Sequence, residues 1–492
     1  MSIWRTKPVA AFEADMKKSD LKRVLTRWGL TSLGIGAIIG GGIFTLTGIA
    51  AHDYAGPALA LSFVIAGIGC LFASLCYAEF ASVLPVEGSA YAYAYGTIGE
   101  IFAWFIGWNL ILEYMMGATT VAVAWSGYFV KFLHLFNIDF PIWLCNDLTT
   151  ANEKGAALAK ASGAVFEPFG FAFNLPAFLI TWVVTYILIK GIKEAAKTNN
   201  IIVIIKVAVV LFVIIVGAFY INTDNWVPFI PEQKTTIIDG VEKISFGYGG
   251  VLTAATIVFF AYIGFDAVST QAGEAINPKK DVPFAIVASL IICTILYILV
   301  SLVLTGMVKY DMLDKSAPVA SAFSENGITW AVFIITLAAT AGLTSVMLVM
   351  MLGQTRIFLG MAKDGLLPAF FKTLHPVFKT PYKSTILVGL IISVVAAFTP
   401  IDKVSEMCSM GTLLAFAMVC VAVMILRYKK PELERPYRTP AVYLVGTLGV
   451  LFNLFLMYFV RKDTWIAFLV WGALGIIVYF LYSKKKSNLN NL

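Results

Sequence analysis

Charged residues are scarce in this sequence. Asp, Glu, Lys and Arg make up 13% of the 492 residues, whereas 59% are hydrophobic; soluble domains carry about 25% charged residues. Apolar segments of about 17–25 residues, the length that spans the hydrocarbon core of a bilayer, recur along the whole chain. The composition therefore excludes an ordinary soluble domain and predicts an all-α polytopic membrane protein.

Histidine and cysteine are also few, and neither residue type forms a recognisable site. His52, His134 and His375 are scattered, and of the six cysteines only Cys145 falls in a predicted outside loop, as a lone free thiol. The sequence has no zinc-ligand or catalytic-triad spacing. It also lacks a Gly-rich phosphate loop followed by Lys and Ser or Thr. We therefore expect no metal, no cofactor and no enzyme or ATPase activity.

The apolar segments predict about twelve membrane spans. Lys and Arg are enriched on the side of the N-terminus, so the positive-inside rule places both termini in the cytoplasm of a plasma-membrane protein. This asymmetry accounts for the net charge of +7 without a nucleic-acid partner. The first 28 residues lack the continuous apolar core of a signal peptide. The predicted spans are 29–50, 57–80, 98–129, 175–193, 199–221, 249–271, 283–306, 329–361, 384–400, 406–427, 440–461 and 464–482.

The first span contains "GIGAIIGGGIF", residues 34–44, in which five of eleven positions are glycine. Each glycine costs about 1 kcal/mol relative to alanine in a helix interior, and three in a row favour a departure from helical geometry. In lipid such a break is tolerated only where the freed N–H and C=O groups face protein or a water-lined cavity. The segment therefore predicts a broken helix that presents backbone groups to a ligand.

A second interruption is predicted in the sixth span. Residues 259–274 read "FFAYIGFDAVSTQAGE", with Gly264 at mid-span and the carboxylate of Asp266 directly after it. One interpretation is structural: Gly264 permits close helix packing and Asp266 bonds a neighbouring hydroxyl. Two interrupted helices at matching positions of two inverted halves instead favour a transporter site.

The two breaks offer complementary charges. A broken helix exposes N–H groups at one end and C=O groups at the other, each end with about half a unit charge. The N–H groups suit a carboxylate and the carbonyls suit an ammonium, so the pair suits an α-amino acid. The groups concerned are the N–H groups of Gly40, Gly41 and Gly42 and the carbonyls of Phe260, Ala261 and Ile263.

Several other polar residues lie at membrane depth. Lys206 lies six residues beyond Asn200, about 9–12 Å into its span at 1.5 Å per residue. Its charge is costly there, so it either has a partner or task or reaches back to the cytoplasmic surface. Lys206 could carry a coupled proton, since burial disfavours the ammonium form, or its fixed charge could replace sodium. The others are Glu113 in the third span and Thr344 and Ser345 in the eighth, whose hydroxyls could instead bond to their own helix.

The motifs together resemble the amino acid–polyamine–organocation superfamily, and most closely its bacterial cationic-amino-acid-transporter-like branch. The motifs are "GIGAIIGGGIF", "YAEF", "PVEGSAYAYAY", "LEY", "FFAYIGFDAVS", "NPKKDVP", "GQTRIFLGMAKDGLLP" and "RPYRTP". The resemblance implies a LeuT-type fold with a 5+5 inverted repeat and two additional spans. It divides the chain into a cytoplasmic segment (1–28), a ten-helix transport core (29–427), two further spans with their preceding loop (428–482) and a cytoplasmic tail (483–492).

The resemblance also assigns roles by position. It implies carboxylate contacts at Ile38, Gly41 and Gly42, amino contacts at Phe260, Ala261 and Ile263 beside Gly264, and a side-chain pocket at Met350. Phe260 matches an aromatic lid over the substrate. Lys206 matches a lysine that stands at the sodium position of sodium-coupled relatives, with Thr344 and Ser345 on the hydroxyl side and Glu113 as a possible proton partner. Relatives often carry Ser or Thr at the position of Gly41, so a hydroxyl contact is missing here beside the backbone contact. They also often have two acidic residues before "NP", where this chain has Gly273-Glu274, so no role is carried over to that pair.

We therefore expect a secondary transporter that moves L-amino acids by alternating access, coupled to protons as a symporter. A sodium-independent exchanger is the alternative, and a channel or a substrate-sensing receptor is the rival from another class. Met350 would shorten the pocket and favour small neutral substrates. The expected partners are the amino acid, protons and the lipid bilayer, and a small membrane-protein partner is left open.

Overall fold

The computed structural model describes residues 5–6, 25–83, 89–191, 195–238, 241–270 and 275–490. Most of them are helical. Gly273-Glu274 and most of segment 1–28 lie outside the described residues. The helices of the first half are α1 (Arg27–Ile38), α2 (Thr47–Ala50), α3 (Leu59–Val83), α4 (Ser89–Thr97), α5 (Glu100–His134), α6 (Leu148–Ser162), α7 (Leu175–Lys190) and α8 (Ala195–Gly217).

The second half begins with an antiparallel hairpin of β1 (Lys234–Ile238) and β2 (Val241–Ser245), in which Lys234 pairs with Ser245. Its helices are α9 (Gly247–Val258), α10 (Ala267–Thr270), α11 (Pro278–Met307), α12 (Pro318–Glu325), α13 (Thr329–Lys363), α14 (Tyr382–Phe398), α15 (Ile401–Lys429), α16 (Val442–Tyr458), α17 (Lys462–Val478) and the single turn α18 (Lys484–Lys486).

The predicted polytopic membrane protein is confirmed. Within the described residues, eight helical stretches are long and apolar enough to cross a bilayer, and three shorter apolar helices add to them. Helical residues lie in every predicted segment, although the ends differ by a few residues. The helix of the third span, α5, extends to His134, and the helix of the fifth span, α8, begins at Ala195. The eight stretches are Gly42–Val83, Glu100–His134, Ile201–Tyr220, Gly247–Ser269, Pro278–Met307, Thr329–Lys363, Ile401–Lys429 and Lys462–Lys486.

Local sequence signals set the helix ends. The carboxamide oxygen of Asn174 accepts a hydrogen bond from the N–H of Ala177 at 3.2 Å, and Pro176 occupies the first turn of α7, where it has no N–H to leave unpaired. The same helix ends before Gly191, whose φ of +87° is accessible to glycine at little cost. These caps define α7 despite its short length.

Both predicted interruptions are present in the backbone. The helix α1 ends at Ile38 and Ile39 is extended (φ −71°, ψ 102°), after which the chain resumes as a π-helix over Gly42–Leu46. In the sixth span α9 passes into a 3₁₀ turn over Phe259–Tyr262, and Gly264 has a φ of +120°. The glycine-rich stretch and Gly264 therefore break their helices as the sequence predicts.

A buried ion cluster joins α3 to the end of α15 and to the loop after it. The Glu79 carboxylate, with no exposed surface, accepts two hydrogen bonds of 2.7 Å from Arg427 and lies 3.3 Å from the Arg435 guanidinium. It also accepts from the N–H of Thr439 at 2.8 Å. Burying a carboxylate requires such compensation, so the "YAEF" and "RPYRTP" motifs form one structural contact.

Candidate substrate site at the paired helix breaks

The two breaks lie directly against each other. A Cβ added to Gly42 would be 2.3 Å from the Cα of Ala261, and one added to Gly264 would be 2.9 Å from the carbonyl of Ala37. Neither position has room for a side chain while the half-helices keep these places. Glycine is therefore required at Gly42 and Gly264 by the close approach of the two backbones, and at Gly264 by its positive φ as well.

A tyrosine that the sequence reasoning missed bridges the breaks. The Tyr297 hydroxyl on α11 lies 2.8 Å from the carbonyl oxygen of Ile38 and 3.0 Å from that of Ala261, and it can donate its one proton to either oxygen. Each carbonyl has a second lone pair, so Ala261 can still accept from a ligand ammonium. A phenol in the apolar run "ILYILV" was the only signal in the sequence.

Helices α5 and α13 form the walls beside the first break. A Cβ on Gly40 would meet the Val346 side chain at 3.2 Å, and one on Gly41 would lie 3.4 Å from Ala124 and 3.8 Å from Val121. Phe260 and Ile263 are buried, with exposures of 4% and 3%. The predicted backbone groups of the first and sixth spans are thus brought together in an enclosed, largely apolar setting.

Met350 lies one turn beyond Val346 on α13. A Cβ added to Gly117 on α5 would lie 3.5 Å from the Met350 sulfur and 3.6 Å from the Cys408 sulfur on α15. Gly117 is in turn one helical turn before Val121, which contacts the break. Met350 therefore belongs to an apolar group with Gly117 and Cys408 next to the break, and Cys408 was not anticipated.

Lys206 is 1% exposed and its ammonium donates to the Gly36 carbonyl at 2.8 Å. Its aliphatic stem packs against Gly342 on α13. A Cβ added to Gly342 would lie 3.1 Å from both Cγ and Cε of Lys206, so glycine leaves room for the lysine. The Thr344 hydroxyl donates to the Thr340 carbonyl at 2.8 Å. This is the bond to its own helix that the sequence left open as the alternative. Ser345 is buried, with 5% exposure.

Glu113 on α5 and Asp266, two residues after Gly264, form a buried acidic pair. Each is 1% exposed and they lie within electrostatic range of each other. Among the described residues, Oε2 of Glu113 and Oδ2 of Asp266 have no hydrogen-bond partner, and the same holds for the buried hydroxyl of Tyr77. Unpaired polar atoms at this depth are costly, so this cluster is suited to hold protons or water.

A cavity of about 1030 Å³ opens at the face of the molecule that carries His134, Lys315 and Arg461. Its lining reaches Thr45, three residues beyond Gly42, and the buried Thr45 hydroxyl has no hydrogen-bond partner among the described residues. Cys145 also lines the cavity, and burial raises the pKa of its thiol. The cavity therefore extends from one face as far as Thr45, and its lining includes none of the residues predicted to contact the substrate.

Contacts between the starts of α1 and α11 lie at the opposite face. The N–H of Ile276 donates to the Leu25 carbonyl at 2.9 Å, and the Arg27 guanidinium lies 3.4 Å from Asp281. Arg27 also lies over the Phe284 ring, 4.8 Å from its centroid. These contacts join the start of α1 to the start of α11 at this face.

We expect Tyr297→Phe to loosen both breaks, because the carbonyls of Ile38 and Ala261 lose their shared donor. Losing one buried hydrogen bond of this kind costs about 1–3 kcal/mol. Hydrogen exchange measured by mass spectrometry should show faster exchange in peptides covering 38–44 and 259–266.

Tyr262→Phe is the matched control. The Tyr262 hydroxyl donates to the Phe63 carbonyl at 2.7 Å, away from the first break, and its ring lies 5.6 Å from that of Tyr297. Equal acceleration at residues 38–44 in both variants would contradict the bridging role of Tyr297.

Comparison with known proteins agrees with this geometry. The profile of the family described as amino acid permease matches residues 25–481. The chain is 45% identical to the branched-chain amino acid permease of Bacillus subtilis and 42% identical to the methylthioribose transporter of the same organism, over 99% of each chain in both cases. It is 38% identical to the vacuolar cationic amino acid transporter 4 of Arabidopsis thaliana, over 84% of this chain and 64% of the relative. The protein therefore belongs to the amino acid permease family of the amino acid–polyamine–organocation superfamily and is a transporter rather than an enzyme.

Proposed function

We propose that this permease is a secondary active transporter that carries L-amino acids across the plasma membrane by alternating access. The observation that carries the proposal is the direct contact of two broken helices, Gly42 on Ala261 and Gly264 on Ala37. Paired interrupted helices are the best pointer to the site of such transporters. The branched-chain amino acid permease among its relatives supports an amino acid as the substrate.

The fold proposed for this function is the LeuT-type inverted repeat. Residues 29–427 would form ten spans in two inverted halves, so that the breaks near Gly40 and Gly264 occupy corresponding positions, and 428–482 would add two spans. Segments 1–28 and 483–492 would lie in the cytoplasm. The contact of the two breaks supports this arrangement, because the first spans of two inverted halves meet at the repeat interface.

The proposed ligand contacts are mainly backbone groups. The N–H groups of residues 40–42, next to Ile38, would hold the carboxylate, because a helix start favours an anion. The carbonyls of Phe260, Ala261 and Ile263 would hold the ammonium. The Phe260 carbonyl accepts the N–H of Ile263 at 3.1 Å and the Ala261 carbonyl lies 3.0 Å from the Tyr297 hydroxyl, so each would hold the ammonium through its second lone pair. A zwitterion with both groups on one carbon fits this pair of ends.

Replacing Gly42 by leucine is expected to abolish amino acid binding. Even a Cβ at this position would lie 2.3 Å from Ala261 Cα, so leucine must separate the half-helices. Substrate-dependent thermal stabilisation of the purified protein in detergent, with a panel of L-amino acids, measures the loss.

Gly360→Leu is the control, because a Cβ on Gly360 meets nothing within 4 Å. It should bind like the parent protein. A folded Gly42→Leu variant with parental affinity would refute the site.

The side chain of the substrate is proposed to point towards Met350, Gly117 and Cys408. Sulfur atoms are polarizable and suit aliphatic or thioether groups, and no charge is needed for a neutral substrate. The two most similar relatives named above are described as carrying branched-chain amino acids and methylthioribose. We therefore propose small neutral substrates, with methylthioribose as the second candidate.

Met350→Ser should enlarge this pocket and admit larger or cationic amino acids. One methylene in an apolar pocket changes discrimination by about 10- to 200-fold, so relative uptake of arginine or leucine should rise by at least that order. Competition against a radiolabelled substrate in proteoliposomes measures it, with methylthioribose included among the competitors.

Met351→Ser serves as the packing control, because Met351 is the adjacent residue and is also buried. An unchanged competition profile in Met350→Ser would show that Met350 does not line the pocket.

Proton coupling is proposed to depend on Lys206. Its ammonium donates to the Gly36 carbonyl in the last turns of α1 and so joins the moving first helix to α8 and α13. Loss of the proton would remove this charge-assisted hydrogen bond and favour separation of α1. Glu113, with Asp266 beside it, is proposed to share the proton, so the groups would titrate together. Ser345 and Thr344 would lie on the α13 side of this contact.

Lys206→Ala should lose uptake driven by an inward proton gradient while it retains substrate binding, because the ligand contacts are elsewhere. In the parent protein, uptake into proteoliposomes should rise on external acidification, collapse with a protonophore and persist when potassium replaces sodium.

Lys309→Ala, which removes a lysine that is 56% exposed, is the control and should behave as the parent. Sodium-dependent accumulation, or undiminished proton-driven uptake by Lys206→Ala, would refute the coupling role. Uptake only against preloaded amino acid would identify an exchanger.

A further inference from the structure

The connection between α13 and α14 contains a segment, residues 369–381, that is tied to the end of α7 and that we call the turn. The Thr380 hydroxyl donates to the Ile189 carbonyl at 2.6 Å, and the Thr380 carbonyl accepts from the N–H of His375 at 2.7 Å. Both α7, which ends at Lys190, and α14 are apolar helices of this membrane protein. The turn therefore lies where two apolar helices leave the hydrocarbon region, at the edge of the bilayer.

The backbone of the turn is organised around His375. Its Nδ1 atom accepts hydrogen bonds from the N–H groups of Val377 and Phe378, both at 3.2 Å. Its carbonyl accepts from the N–H of Lys379 at 3.0 Å, and its ring stacks on the Phe378 ring with the centroids 4.7 Å apart. Lys379 has a φ of +58°, which is typical of a tight turn. These bonds give the side chains of the turn defined positions.

The turn and the two helix ends beside it carry positive charge. The sequence has no Asp or Glu between Asp364 and Asp402, although it has three lysines there. Lys379 and Lys383 belong to this stretch, and Lys190 joins them through the contact of the turn with α7. Within the described ranges, none of these three ammonium groups forms an ion pair with a carboxylate. The surface therefore presents positive charge that the protein itself leaves uncompensated.

Exposed apolar side chains alternate with the lysines. Val377 is 75% exposed, and Phe370, Leu374 and Phe378 are exposed as well. The Lys383 ammonium lies over the Phe370 ring, 5.9 Å from its centroid, so charged and apolar groups are direct neighbours. At the edge of a bilayer, aromatic and aliphatic groups enter the interface while lysines extend to the headgroups. The surface therefore matches an amphiphile with a negatively charged head.

We propose that the turn, together with Lys190 and Lys383, is a binding surface for an anionic phospholipid of the adjacent leaflet. The ammonium groups of Lys190, Lys379 and Lys383 would hold the phosphate, and the side chains of Leu374 and Val377 would contact the glycerol and upper acyl region. The positive-inside rule accounts for lysines near a membrane, but not for the apolar side chains between them. The proposal goes beyond the proposed function, because it requires neither a substrate nor transport.

Native mass spectrometry of the purified full chain in detergent measures the affinity for the first lipid bound. The protein is titrated with phosphatidylglycerol or with phosphatidylcholine of the same acyl chains, and the parent should bind phosphatidylglycerol at least tenfold more tightly. The triple variant Lys190→Gln, Lys379→Asn and Lys383→Gln should lose this preference, because each lysine near an anionic surface contributes about fivefold in affinity. Asparagine is chosen at residue 379 because it tolerates a positive φ.

Two further variants are the controls. Arginine at the same three positions keeps the charges and should retain the preference. Lys279→Gln, Lys280→Gln and Lys429→Gln together remove the same net charge from exposed lysines that have Asp281 and Glu432 close by in the sequence. This second triple variant should bind both lipids as the parent does.

A parental preference in the first triple variant, or an equal loss in the second, would overturn the proposal. Displacement of phosphatidylglycerol by an equimolar concentration of glycerol phosphate would also overturn it, because a site for a soluble anion needs no apolar contacts. Val377→Ser changes an exposed side chain and keeps the test available if the triple variant does not fold. It should weaken phosphatidylglycerol binding about tenfold, since the burial of one valine contributes at that level, and parental binding by this variant would contradict the proposal.

Discussion

The close approach of two backbones is the constraint on which the rest of this structure depends. Gly42 lies on Ala261 and Gly264 lies on Ala37, at distances that exclude any side chain at either glycine. Broken helices in a membrane interior must pair their free N–H and C=O groups within the protein. The hydroxyl of Tyr297 supplies one such partner to both breaks at once. The remaining backbone groups are those that we propose to hold a small zwitterion.

Polar groups around the breaks follow from the same constraint. Lys206 donates to the Gly36 carbonyl on α1, whereas Oε2 of Glu113 and Oδ2 of Asp266 have no hydrogen-bond partner among the described residues. The large cavity reaches Thr45 from one face, and at the other face an ion pair and a hydrogen bond join the starts of α1 and α11.

The sequence predicted features with a large local energetic cost. Three consecutive glycines in a membrane helix and a lysine far from either surface have few acceptable explanations, so the breaks and the burial of Lys206 could be anticipated. Tyr297 could not, because a tyrosine in an apolar run is equally compatible with plain packing. Thr344 was ambiguous, since a threonine hydroxyl in a helix can bond to the carbonyl four residues earlier instead of to a ligand or a partner helix. The docking of residues 483–490 against the segment after α13 could not be predicted, because its contacts are mostly with backbone groups far away in the chain.

The position of Cys145 has a practical consequence. The other five cysteines are buried, whereas this one is partly exposed and lines the large cavity. The unmodified chain therefore contains a natural attachment point for a fluorophore or spin label at this cavity. Because burial raises the pKa of this thiol, its thiolate fraction at neutral pH is small and its modification slow. Changes in that rate would register rearrangement of this cavity without any engineered residue.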